Sequence, residues 1–263
     1  MRKYIFIYKS ELISSLQYIF NILTGFLSYI VLMFVFLNLW EYMYSDPDQV
    51  IQGYTMVDMI WYISITELLW KILGGRKFCR KICDDVKSGN ITYNINKPYS
   101  YIGYLVSERL GGATIPAILY TTLAMILGFI FLGQFPNLSV ISIIAVIVTM
   151  ILAIIINILF IIFIGLISFF IEDANPFYWL YSKFLLIIGT IFPIEIFPTM
   201  IQGILKYSPI YAITYGPARL FVKFSYDQFF SIVISQIIYI CIVGTLCHTL
   251  YKKGVKKLNV NGG

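Results

Sequence analysis

Charge is scarce in this chain, and histidine scarcer. Of 263 residues only 12% are Asp, Glu, Lys or Arg, 59% are hydrophobic, and His248 is the one histidine. A soluble domain carries about a quarter charged residues, so this deficit excludes an ordinary globular fold and points to a polytopic membrane protein. His248 lies near the inner end of the last apolar run, where an interfacial role fits better than a catalytic base. Cys79, Cys83, Cys241 and Cys247 sit where no disulfide is expected to persist. Cys79 and Cys83 share a helix face at metal-ligand spacing, but no second ligand pair lies near them, so they read as reduced structural thiols. A phosphate-cradling G-x-x-x-x-G-K-[ST] loop is missing, because Gly74 and Gly75 precede Arg76 and Lys77 without that spacing. Ionisable residues are also nearly absent from the middle of the apolar runs, where a coupling-ion site would lie. Glu67 and Lys71, four apart, read as a mutual ion pair, Asp58 lies toward the outer side, and Glu195 reads as a water-facing carboxylate. A net charge of +6 invites a nucleic-acid reading, yet the basic residues flank apolar runs and form no separate domain.

Long apolar runs are what the chain has in their place. Each crossing needs about 20 residues for about 30 Å of hydrocarbon. Six spans are expected, at residues 19–40, 54–73, 105–132, 139–170, 177–192 and 227–250. Before the first, residues 1–18 place Ile5, Tyr8, Leu12, Leu16 and Ile19 at helical spacing among polar neighbours, as an interfacial amphipathic helix does. The run is too long for a signal peptide and lacks a clear cleavage site, so it is expected to be retained. Glu41, Asp46 and Asp48 make the first loop acidic and place it outside. Gly111, Gly112 and Pro116 permit close helix approach and a kink in the third span. Asn157 is the strongly polar side chain in the middle of the fourth. With both termini inside, only Lys206, Arg219 and Lys223 of the 19 Lys and Arg residues are left outside, an asymmetry that supports the count.

Two stretches break the pattern. Residues 74–100 are the longest polar interval, and within them Phe78, Cys79, Ile82, Cys83 and Val86 recur at helical spacing. Arg76, Lys77, Arg80, Lys81, Asp84, Asp85 and Lys87 populate the other side. The pattern predicts a short amphipathic helix at the cytoplasmic surface: a seat for a separate energy-supplying subunit, or a solvated basic loop that only fixes topology. Residues 193–224 are too interrupted by proline to span and too apolar for an ordinary loop. FPIEIFP, Phe192 to Pro198, followed by Pro209 and Pro217, predicts a pair of short helices that enter the outer leaflet and turn back.

Taken together, these segments resemble the membrane subunits of ATP-binding-cassette exporters of the type-2 class, a compact bacterial family. The resemblance rests on Lys87, Ser88, Gly89, Asn90 and Ile91 followed by Asn96, Lys97 and Pro98, similar to the "SG-x-I then basic-Pro" pattern after the second span. It rests also on Phe192 to Pro198 followed by Ser208, Pro209, Tyr215, Gly216 and Pro217, similar to the proline pattern before the last span. Thr92, Ile95 and Asn96 depart from the residues common there, which bears on subfamily and not on class.

The resemblance implies an all-α fold of six transmembrane helices with an interfacial N-terminal helix, a cytoplasmic coupling helix and re-entrant extracellular helices. It implies a non-catalytic permease in the bacterial cytoplasmic membrane, both termini inside, paired with a second permease, the same or homologous. Two ATPase subunits would bind ATP and Mg; this chain would hold no cofactor. Coupling would run through residues 76 to 90, with Ser88 and Gly89 at the helix end and Glu172 and Asp173 as a second contact. The outer gate would be formed by Phe192, Pro193, Glu195, Phe197, Pro198 and Tyr211. An amphipathic or lipid-like cargo, such as a peptide, drug or lipid-linked glycan, suits such apolar spans. The competing class is a stand-alone secondary transporter or channel; a membrane enzyme or assembly factor is a further one.

Overall fold

The computed structural model describes residues 2–44, 46, 49–95 and 97–261. Asp48 of the acidic loop and Asn96 of the basic-Pro stretch lie outside them. No strand occurs among the described residues. In chain order the helices are α1 (Arg2–Gln17), α2 (Ile19–Met43), α3 (Met56–Leu73), α4 (Arg76–Lys87), α5 (Ile91–Ile95) and α6 (Tyr101–Leu132). They continue with α7 (Val140–Leu166), α8 (Asn175–Phe184), α9 (Thr199–Lys206), α10 (Gly216–Val222) and α11 (Tyr226–Asn261). Among the described residues four helical stretches are long and apolar enough to cross a membrane: Ile19–Met43, Tyr101–Leu132, Val140–Phe169 and Tyr226–Lys257.

The two other expected spans are helical but differ in character. α3 carries Asp58, Glu67 and Lys71 in 18 residues, yet most of it is buried, closed in by α2, α6, α7 and α10. Its charges are all engaged. Asp58 closes a capping box with Thr55 and pairs with Lys223 at 3.2 Å, and Glu67 pairs with Lys71 at 3.4 Å. α8 is short and runs on as wider π turns over Leu185–Ile191. Those turns leave carbonyls that an α-helix would use, and α3 takes them up: Tyr62 donates to Gly189 O at 3.1 Å and Thr66 to Thr190 O at 2.8 Å. A second π segment, Tyr211–Tyr215, leads into α10, and Gln236 of α11 donates to Ala212 O at 2.8 Å and to Thr149 O at 2.9 Å. Gly189 lets the two π segments meet, since a Cβ there would strike Thr214.

α2 touches the core along one stripe only. Tyr29, Met33, Leu37 and Trp40, four or three apart, are buried, and most of its other apolar side chains are exposed. α1 lies against α6 where glycine clears the way: a Cβ on Gly103 would meet the Tyr4 ring, and one on Gly111 the backbone of Tyr8. The expected amphipathic face of α1 is split, because Tyr8 and Leu12 turn toward α6 while Ile5 and Leu16 remain exposed. α11 continues well past residue 250 through Lys252, Lys253, Lys256 and Lys257; lysine is a good helix former and no proline interrupts it.

Candidate functional site

α4 is an amphipathic helix laid across one end of the bundle. Its apolar positions Phe78, Cys79, Ile82, Cys83 and Val86 are all buried, among Ile161, Ile162, Tyr101, Leu105, Ala174 and Tyr178. Burying each large apolar side chain is worth roughly 1.5–3 kcal/mol, enough to fix a helix this short. Close approach depends on glycine on both sides: a Cβ at Gly165 of α7 would lie 2.7 Å from Ile82, and one at Gly75 would strike Ile161. The C-terminal signal is equally local. Gly89 adopts φ +74°, Ser88 Oγ donates to Asp84 O at 2.7 Å, and Ile91 is buried immediately beyond. The Ser-Gly-x-Ile stretch is thus a helix stop and an anchor.

The charged side of α4 divides in two. Arg76, Lys77, Arg80, Asp84, Lys87 and Ser88 are exposed, and Arg80 and Asp84, 3.9 Å apart, have 74% and 66% of their side chains open. Lys81 and Asp85, which spacing places on the same face, are turned into the fold and tether α4 to α6. Lys81 binds Glu108 and Asp85 accepts from Tyr101 Oη at 3.0 Å. Burial works against the Lys81 ammonium, yet Glu108 and Tyr104 hold its pKa above the ordinary value. The smaller expected contact does come alongside: Glu172 and Asp173 are exposed, and Asp173 lies 3.9 Å from Lys87. The Asn175 N–H and side chain hold the Asp173 carboxyl below its ordinary range, so it stays charged.

Between α3 and α4 the chain turns through Gly74 and Gly75, and three distant residues lock that elbow. Arg109 of α6 donates to Ile72 O at 3.1 Å and to Gly74 O. Asn157 of α7 donates to Leu73 O at 2.9 Å and accepts from Tyr181 Oη at 2.9 Å. The Gly75 N–H donates to Tyr178 Oη at 2.8 Å. Side chains thus satisfy Ile72 O, Leu73 O, Gly74 O and the Gly75 N–H, which makes the two helices one bent lever. Arg109 and Asn157 were legible only as a topology marker and a lone polar residue; nothing local signals Tyr178, Tyr181 or Glu108.

The outer-gate candidates gather beyond the Tyr62 half of α3, a helix about 27 Å long for its 18 residues at 1.5 Å each. Phe192 and Phe197 meet edge to face at 6.4 Å, with Pro193 buried and Pro198 exposed. Tyr211 stacks on Tyr215 at 5.0 Å. Glu195 is not the water-facing carboxylate the sequence suggests. It accepts from Tyr215 Oη and lies 3.8 Å from Arg219, whose guanidinium sits 5.1 Å from the Tyr54 ring. Proline forces the short turn Ile194–Ile196 that folds Glu195 back onto α10. Cys79 and Cys83 are buried and free, and no cluster of three or more metal-ligating side chains occurs among the described residues.

Compared with known proteins, residues 12–262 match the family described as "ABC-2 family transporter protein". No curated protein matches the chain.

Proposed function

This chain belongs to the ABC-2 family of transporter proteins, and from that premise we propose that it is the permease half of an exporter whose α4 is pulled by separate ATPases. It pairs with a second permease, the same or homologous, and two ATPase subunits that bind ATP and Mg; this chain supplies no catalytic group. The observation that carries the reading is the division of α4: a stripe fixed in the bundle, a free charged face, and a locked elbow joining it to the largely buried α3. A helix so mounted passes a pull to α3 without absorbing it. Lys87 and Asp173 extend the charged surface to the 172–173 loop.

In the membrane the molecule has six crossings, α3 and Asn175–Ile191 included, with α1 in the inner interface and both termini in the cytoplasm of a bacterium. The basic residues collect at the α4 end, which the positive-inside bias assigns to the cytoplasm. α9 and α10 enter the outer leaflet and turn back, and Phe192, Phe197 and Tyr211 close the exit. The cargo is amphipathic or lipid-like and leaves along the first, second and fifth crossings, of which α2 and α8 expose apolar side chains.

The test is charge reversal on the free face in the complete transporter. Lys77→Glu with Arg80→Glu is expected to weaken ATPase docking by about thirtyfold or more, the scale for losing interfacial charge pairs. Stimulated ATP turnover then disappears while membrane insertion persists. Normal turnover in this variant, or cargo movement by the chain without any ATPase, overturns the reading in favour of a stand-alone transporter.

A further inference from the structure

A cavity of about 360 Å³ opens beside the elbow, between the end of α3 and the start of α8. Its size falls within the range of about 300 to 1,000 Å³ usual for small-ligand sites. The wall is mixed in an orderly way. Trp70, Trp179 and Leu185 are apolar, Asn175 and Ser182 offer hydrogen bonds, and Arg76 and Lys183 bring two cations. No Asp or Glu lines it, and neither Arg76 nor Lys183 has an acidic partner within ion-pair distance among the described residues. Lys183 instead lies 5.7 Å from the Trp179 ring. Two unneutralised cations in a concave, aromatic-walled site at the boundary of the apolar belt match a ligand that is anionic at one end and apolar at the other.

We propose that this cavity binds the phosphate-bearing head of an amphipathic anion, with Arg76 and Lys183 on the phosphate and the apolar portion along Trp70 and Trp179. The same cavity is lined by Leu73, Gly74, Asn157, Tyr178 and Tyr181, the parts of the elbow. An occupant therefore touches the joint between α3 and α4, and Arg76 is the first residue of α4 itself. Occupancy biases the elbow, so that ATP turnover follows the presence of the anion. That second step rests on the coupling reading above; binding does not.

The probe is phosphatidylglycerol with brominated chains, added to the full-length chain in detergent micelles, with brominated phosphatidylcholine as the zwitterionic control. Quenching is read as the part of the tryptophan fluorescence lost in a Trp179→Phe variant. Phosphatidylglycerol is expected to quench at lower mole fraction than phosphatidylcholine, and Arg76→Gln or Lys183→Gln each to weaken that preference by about fivefold, the worth of one cation near an anionic surface. Lys183→Arg, which keeps the charge, and Lys206→Gln, at the other end of the molecule, retain the preference. Equal quenching by the two lipids, or a preference that survives in the double Gln variant, overturns the proposal. Displacement by inorganic phosphate at matched concentration overturns its amphipathic part and assigns the site to a free anion. Because the readout needs no ATPase, a preference found in a chain that does not couple to one would count against the coupling reading and leave the site standing.

Discussion

Arg80 and Lys81 are neighbours in sequence and meet different surroundings. Arg80 has 74% of its side chain open and one distant partner, Asp84 at 3.9 Å, a pair of the exposed kind that adds little to stability. Lys81 binds Glu108, whose side chain is only 16% exposed, and also reaches Tyr104. Removing the Lys81 ammonium leaves that carboxylate without its main partner. Lys81→Met is expected to lower stability by about 1 to 3 kcal/mol, the cost of a charged hydrogen bond lost at a part-buried site. Adding Glu108→Leu recovers part of the loss, because the stranded charge goes with it. Thermal unfolding of the wild type, both single variants and the double variant in detergent measures the coupling; strictly additive losses would show that the two side chains do not support one another. Periodicity placed both cations on one polar face correctly. It had no means of seeing that α6 would cover Lys81 and Asp85.

At the scale of elements, α4 and α1 show how far a hydrophobic pattern reaches. The buried stripe of α4 was legible residue by residue, since five apolar positions stand against a charged remainder. α1 was less so, because apolar residues occur all round it and the choice of face is made by Gly103 and Gly111 of α6, a hundred residues away. The same packing brings Glu11 beside Gly112 and partly out of water. Burial first, and the Glu108 carboxylate second, raise the Glu11 pKa above its ordinary value of 4.5, while Lys81 and Arg109 pull it back. A carboxyl raised in the folded state binds its proton more tightly there than when unfolded. Its contribution to α1 docking is therefore fully present below the unfolded pKa and is lost as pH rises through the folded one. Amide exchange over residues 2–17 is expected to quicken from acidic to neutral pH, and Glu11→Gln to abolish that dependence. Exchange that is insensitive to pH after correction for its intrinsic rate would leave the Glu11 charge no part in holding α1.

Across the whole molecule, the features hardest to read were those completed by distant partners. Counting residues found all the long apolar helices, but α3 passes from one charge cluster to the other and is tolerable in the core only because other elements neutralise or cap it. Lys223 serves its start; Arg109, Asn157 and Tyr178 serve its end, 35, 84 and 103 positions away from the groups they bond. A single chain read in order shows these as scattered polar residues. In the fold they make α3 and α4 a continuous strut between the proposed ATPase face and the proposed gate, where Asp58 and Lys223 sit beside Tyr54 and Arg219. The strut turns at one joint, the elbow at Gly74 and Gly75, and side chains hold it. Asn157→Leu keeps the volume there but leaves Leu73 O and Tyr181 Oη without the partner they share, a loss of about 1 to 3 kcal/mol concentrated at the joint. ATPase subunits should still co-purify, since the outer face of α4 is untouched, but turnover should no longer track transport because α3 ceases to follow α4. Parallel measurements of ATPase binding, ATP turnover and cargo movement separate this outcome from simple misassembly. If binding and coupling both stay at wild-type levels, motion reaches the gate by another route, and the contact of α4 with α7 is the next to break.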